Sequence, residues 1–109
     1  METGNPQDAI EFIYKFSSVY AKAKASRVYI EEFRKSKKAL LMQASLESAL
    51  GAQEREAYAH HEYIELLNGL REAVETEEGL RWKLIAAQAR IEVWRTECVN
   101  NRISERSTV

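Results

Sequence analysis

The sequence contains one cysteine, one proline and four glycines in 109 residues. A single Cys98 leaves no partner for an intramolecular disulfide and suits a reducing compartment. With Pro6 at the extreme start, no proline interrupts a helix anywhere after it. No charge of one sign dominates either. Lys plus Arg number 16 against 17 Asp plus Glu, so the net charge of −1 gives no general attraction to nucleic acid or to an anionic membrane. No apolar run approaches the ~18 residues of a membrane span. The opening METGNPQDAIEF lacks the basic start and apolar stretch of a secretion signal. The expected setting is therefore cytoplasmic, with no membrane partner.

What the sequence does have is charge, 30% of all residues, arranged at helical spacing. Asn5 can cap, Pro6 suits the first helical position and Asp8 complements the exposed N–H groups, so a helix is predicted over residues 6–44. Its seam is Ala9, Phe16, Ala23, Ile30, Lys37 and Ala44, with Phe12, Val19, Ser26, Phe33 and Leu40 three residues later and Ile13, Tyr20 and Leu41 widening it. That helix has roughly 38 residues and a length of ~57 Å. A joint follows at 45–60, marked by Ser45, Ser48 and Gly51, with a short extra helix over Ala52–Ala59 as one option. A second long helix is predicted over 61–100, followed by a frayed polar tail over 101–109. Its seam is Tyr63, Leu70, Glu77, Leu84, Ile91 and Cys98, accompanied by Leu66, Ala73, Leu80, Ala87 and Trp94. Gly69 and Gly79 inside it mark either a close helix contact or a bend.

Two long helices with a short joint predict one all-α domain, an antiparallel helical hairpin that associates into a helical bundle. Pairing residues whose numbers sum to roughly 105 sets Glu77 against Arg27 or Val28, which makes Arg27 and Glu77 a candidate seam pair, fixing register more than adding stability.

RWKLIAAQARIEVWR, residues 81–95, has more apolar residues than one seam can use. Trp82, Ile85, Ala86, Ala89 and Val93 form a second stripe, and Trp82 and Trp94, twelve residues apart, point ~120° from each other. On the first helix Tyr14, Ala21, Ala25 and Val28 lie outside the seam in the same way. Together they are the expected interface of a homo-oligomer, a dimer or higher, because a monomer seldom exposes so much contiguous apolar area. A second, unidentified protein partner is the other occupant such a surface admits.

Residues 15–43 hold eight Lys and Arg against Glu31 and Glu32, and residues 47–78 hold nine Glu against Arg55 and Arg71. The plain meaning is two mutually attracting faces. The alternative is a nucleic-acid contact through Lys24, Arg27, Arg34, Lys35 and Lys38, with Tyr29 for stacking. No phosphate loop, cysteine cluster or nucleophile elbow occurs, so no catalytic residue and no cofactor are assigned. His60, His61, Glu62 and Glu65 have metal-ligand chemistry. A helical metal site, however, needs ligands converging from several helices, and no metal is assigned.

The runs KASRVYIEEFRKSKKALLMQAS and AQEREAYAHHEYIELLNGLREAVETEEGLRWKLIAAQARIEVWR resemble small uncharacterised all-helical proteins encoded by tailed phages and prophages. The similarity spans about residues 22–95 and is most specific at Ala52–Tyr58 and Arg90–Arg95. The resemblance implies expression in a bacterial cytoplasm and carries no activity. The expected function is a non-enzymatic, self-associating interaction or accessory protein. The alternative is a nucleic-acid-binding accessory of phage recombination or replication.

Overall fold

The computed structural model describes residues 6–107, and the proposed Asn5 cap lies outside them. Three helices follow in order: α1 over Gln7–Gln43, α2 over Leu50–Ala59 and α3 over His61–Ser107. Among the described residues there is no strand. The fold is the predicted all-α hairpin, in which α1 and α3 pack against each other. Their antiparallel direction is read from the ion pairs, which join Arg27 to Glu77 and Lys37, ten residues further along α1, to Glu62, fifteen residues earlier on α3.

Polar side chains make the joint. Ser45 Oγ accepts the Glu47 N–H at 3.1 Å and donates to the Glu56 carboxylate, while Gln53 Nε2 donates to the Glu47 carbonyl at 2.8 Å. One extended residue, His60, separates α2 from α3. Its Nδ1 accepts the Glu62 N–H at 3.1 Å, so an imidazole fills the N-cap role that Ser or Asp usually takes.

The contacts group the described residues into two compact units, residues 6–20 with 79–107 and residues 21–78. In the second unit, Tyr63, Glu77 and Ala57 of α2 are buried, and Ile30, Phe33, Lys37, Leu66, Leu70 and Ala73 are half-buried. In the first, Ala9 and Ala87 are buried, and Phe12, Phe16, Leu80, Leu84, Ile91 and Cys98 are half-buried. Where one helix faces only one other, the contact is narrow, and the second row of each seam is covered in some turns and open in others. Val19, Ser26 and Leu40 are exposed. Trp94, expected to face α1, is 40% exposed. Asp8 and Ala9 share a groove with Ala87 and Arg90, and Trp94 lies one turn further along α3.

Two expectations change. The tail does not fray at Asn100: α3 runs to Ser107. Residues 101–107 contain no Gly or Pro, Arg106 complements the C-terminal carbonyls, and Ser107 Oγ donates to the Ile103 carbonyl at 3.0 Å. Gly69 and Gly79 mark no close helix contact, because a Cβ built on either meets nothing within 4 Å.

Candidate association surface

A helix pair of this kind leaves much of its apolar surface in water. Buried apolar residues among those described are only Ala9, Ala57, Tyr63 and Ala87, and no large side chain is fully buried. The chain exposes 8453 Å².

Every residue of the expected interface is exposed. In the first unit these are Tyr14 on α1 and Trp82, Ile85, Ala86, Ala89 and Val93 on α3, with Tyr14 88% and Trp82 60% accessible. In the second unit they are Ala21, Ala25 and Val28. Sequence reading missed the continuation of the α3 stripe. Val99 and Ile103 are exposed on the same helix, and Ile103 stands 21 residues, three heptads, beyond Trp82. Val99 lies inside the helix expected over 61–100, and only Ile103 lies beyond its expected end.

The seam pair is formed. Arg27 Nε and Nη2 donate to the two Glu77 carboxylate oxygens at 2.6 and 3.0 Å, a two-point contact that fixes orientation, and Nη1 donates to Glu31 at 2.6 Å. Glu77 is 5% exposed, and no buried side-chain nitrogen or oxygen among the described residues lacks a partner. These bonds, first to Glu77 and then to Glu31, hold the Arg27 guanidinium's pKa well above its ordinary value.

The five basic candidates for nucleic acid do not form one free face. Arg27 is committed to Glu77 and Glu31. Lys38 donates to Glu54 at 3.0 Å and sits 4.6 Å from the Tyr58 ring centroid, and Lys35 approaches Glu32 at 3.4 Å. Lys24 is exposed. Three of the five are nonetheless brought together: Arg34, Lys35 and Lys38 line a cleft of about 610 Å³ with Tyr58 and Tyr63, whose rings meet edge to face at 5.3 Å. Tyr29, the expected stacking residue, instead stacks on Phe33 at 6.0 Å. The partnership of Lys38 with α2 had no sequence signal beyond opposite charge.

His60 and His61 stack at 4.5 Å. Among the described residues no three His, Cys, Asp or Glu side chains stand close enough to share a metal ion, and no helix is long and apolar enough to cross a membrane. No protein-family model, curated protein or solved structure matches this chain.

Proposed function

We propose that this chain is a non-enzymatic helical interaction protein that works as a homo-oligomer. The observation that carries the reading is the imbalance just described, four buried apolar residues beside exposed Tyr14, Trp82, Ile85 and Val93. Burying such side chains is the main favourable term in folding and association alike, at about 25 cal/mol per Å². A second copy supplies what the hairpin does not bury by itself. The origin we propose, a phage or prophage with its product in a bacterial cytoplasm, rests on the resemblance over residues 22–95 alone.

Mass action tests this reading. If folding and association are coupled, the melting temperature rises with concentration. Two chains of 109 residues have an unfolding entropy of about 0.46 kcal/mol/K, and a tenfold increase in concentration adds ~1.4 kcal/mol, so the shift is about 3 °C per decade. A melting temperature flat over two decades, with a monomer mass by light scattering, rejects the proposal.

A second reading is favoured by the Arg34–Lys35–Lys38 cleft, in which cations stand beside two tyrosines as single-stranded nucleic acid requires. It ranks lower because Lys38 and Arg27 already hold carboxylates. Binding to single- and double-stranded DNA is expected to be weak at ~0.15 M salt. Tight, steeply salt-dependent binding that disappears in the Lys35→Glu, Lys38→Glu double variant would reverse the ranking.

A further inference from the structure

In the first unit a groove of about 470 Å³ runs between α1 and α3. Its floor is made of the smallest side chains available: Ala9 is fully buried, Ala87 is 6% exposed, and Ala86 stands at the edge. Phe12 forms one wall, and the exposed Lys83 and Arg90 flank the opening. One turn before Ala86 on the same helix, Trp82 stands 60% exposed, with the Arg81 guanidinium 5.1 Å from its ring centroid. A hollow and a large aromatic side chain therefore lie side by side on one face.

We propose that the occupant of this groove is Trp82 of a second copy, with the exchange reciprocal about a two-fold axis. The inference rests on the self-association proposed above and assigns its contact surface. A two-fold interface needs one patch that carries both members of each contact, because residue i meets j and j meets i. The Trp82–Ala86 neighbourhood meets that condition: it carries a projecting ring and, four residues on, an alanine-floored hollow. Filling the hollow leaves Ile85, Ala89 and Val93, exposed on the same helix, against the partner. Trp82 is 60% exposed, so with ~150–250 Å² for a whole aromatic side chain the two rings add about 180–300 Å² of newly buried surface, and the flanking side chains and the receiving groove walls of both copies have to supply the rest of the ~1,000 Å² that a specific interface reaches. A central aromatic seated in a pocket is also the commonest source of binding energy in interfaces.

The experiment measures mass by light scattering or sedimentation from ~1 to ~100 µM, a span that brackets micromolar dissociation constants, with circular dichroism on each protein. The wild type is expected to be a dimer at the upper end. Trp82→Glu removes the ring and Ala86→Glu obstructs the hollow, and both positions are exposed, so helicity is retained. Each raises the dissociation constant by about 30-fold or more, as loss of a central aromatic contact does. Trp82→Ala, which adds no charge, follows the same direction. Gln88→Glu is the control: Gln88 is exposed, lies about 200° round α3 from the groove residue Ala86 and belongs to no proposed contact, and its dimer is expected to be unchanged. In a Trp94→Phe background, where Trp82 is the sole tryptophan, its emission shifts to the blue as the dimer forms. A wild type that stays monomeric overturns this inference together with the self-association reading. A dimer that survives Trp82→Glu and Ala86→Glu, or dissociates equally in Gln88→Glu, overturns only the groove assignment.

Discussion

Replacing Tyr63 with alanine removes the largest buried ring of the second unit. Tyr63 is 8% exposed, and its ring meets Tyr58 edge to face at 5.3 Å. Deleting a buried aromatic costs about 3–5 kcal/mol through lost transfer energy and the cavity left behind. A chain of 109 residues has a total stability on the order of 5–16 kcal/mol, and so sparse a core points to the lower part of that range. Tyr63→Ala should therefore remove a large share of the stability. Tyr29→Ala is the matched control: Tyr29 is 68% exposed, touches Phe33 by ring stacking, and its loss should cost under about 1 kcal/mol. Urea titration followed by far-UV circular dichroism separates the two, because with a slope of ~1–3 kcal/mol/M the Tyr63→Ala midpoint falls by about 1–5 M. Equal midpoints for the two variants would refute the claim that Tyr63 anchors the packing of α2 and α3.

Glu77→Ala leaves the Arg27 fork with Glu31 alone and should lower the melting temperature clearly, whereas Glu32→Ala, which breaks an exposed 3.4 Å pair, should leave it nearly unchanged in the same calorimetric scan. Gly79→Ala places a methyl group in open space inside α3 and should stabilise by up to about 1 kcal/mol in urea titration; a loss instead would show that the glycine is needed. Lys38 has its pKa raised by hydrogen bonding to Tyr58 and then to Glu54. It binds its proton more firmly folded than unfolded, so its contribution is complete below the ordinary lysine value of ~10.4 and is lost as pH rises through the raised one. Melting curves of the wild type and Lys38→Met should accordingly converge only at strongly alkaline pH, and a gap that closes near neutrality would contradict the assignment.

The hairpin was legible because its signal repeats. Ala9, Phe16, Ala23 and Ile30 return every seven residues on α1, and Leu70, Glu77, Leu84 and Ile91 do so on α3, with nothing to break either helix. The Arg27–Glu77 pair was a candidate from the same periodicity, which sets Glu77 in an apolar row opposite Arg27 at the edge of the facing stripe. What the sequence did not reveal depended on distance rather than pattern. Trp94 has a seam position by period yet is 40% exposed, which the seven-residue step does not disclose. The cap made by His60 was hidden because imidazole is an uncommon cap. The groove beside Trp82 is formed by Ala9 together with Ala86 and Ala87, residues 77 and 78 positions apart whose smallness reads as neutral until the helices are set side by side.

The antiparallel arrangement also sets the order in which the chain closes. Lys38 and Glu54 are 16 residues apart, Arg27 and Glu77 are 50, and the groove joins Asp8 to Arg90 across 82. Loop-closure entropy rises slowly with length, by about 0.6 kcal/mol per doubling, so the contacts beside the joint form at the smallest cost and shorten the effective loop for those further out. Folding then proceeds like a zip from the Ser45–His60 end. The segment holding Ala9, Phe12 and Ala87 closes last and reopens first. Amide exchange is expected to show the same gradient along α3, with protection highest around Tyr63 and falling toward Ile103. The stretch that carries Trp82 is the one whose closed form a bound second copy would stabilise most.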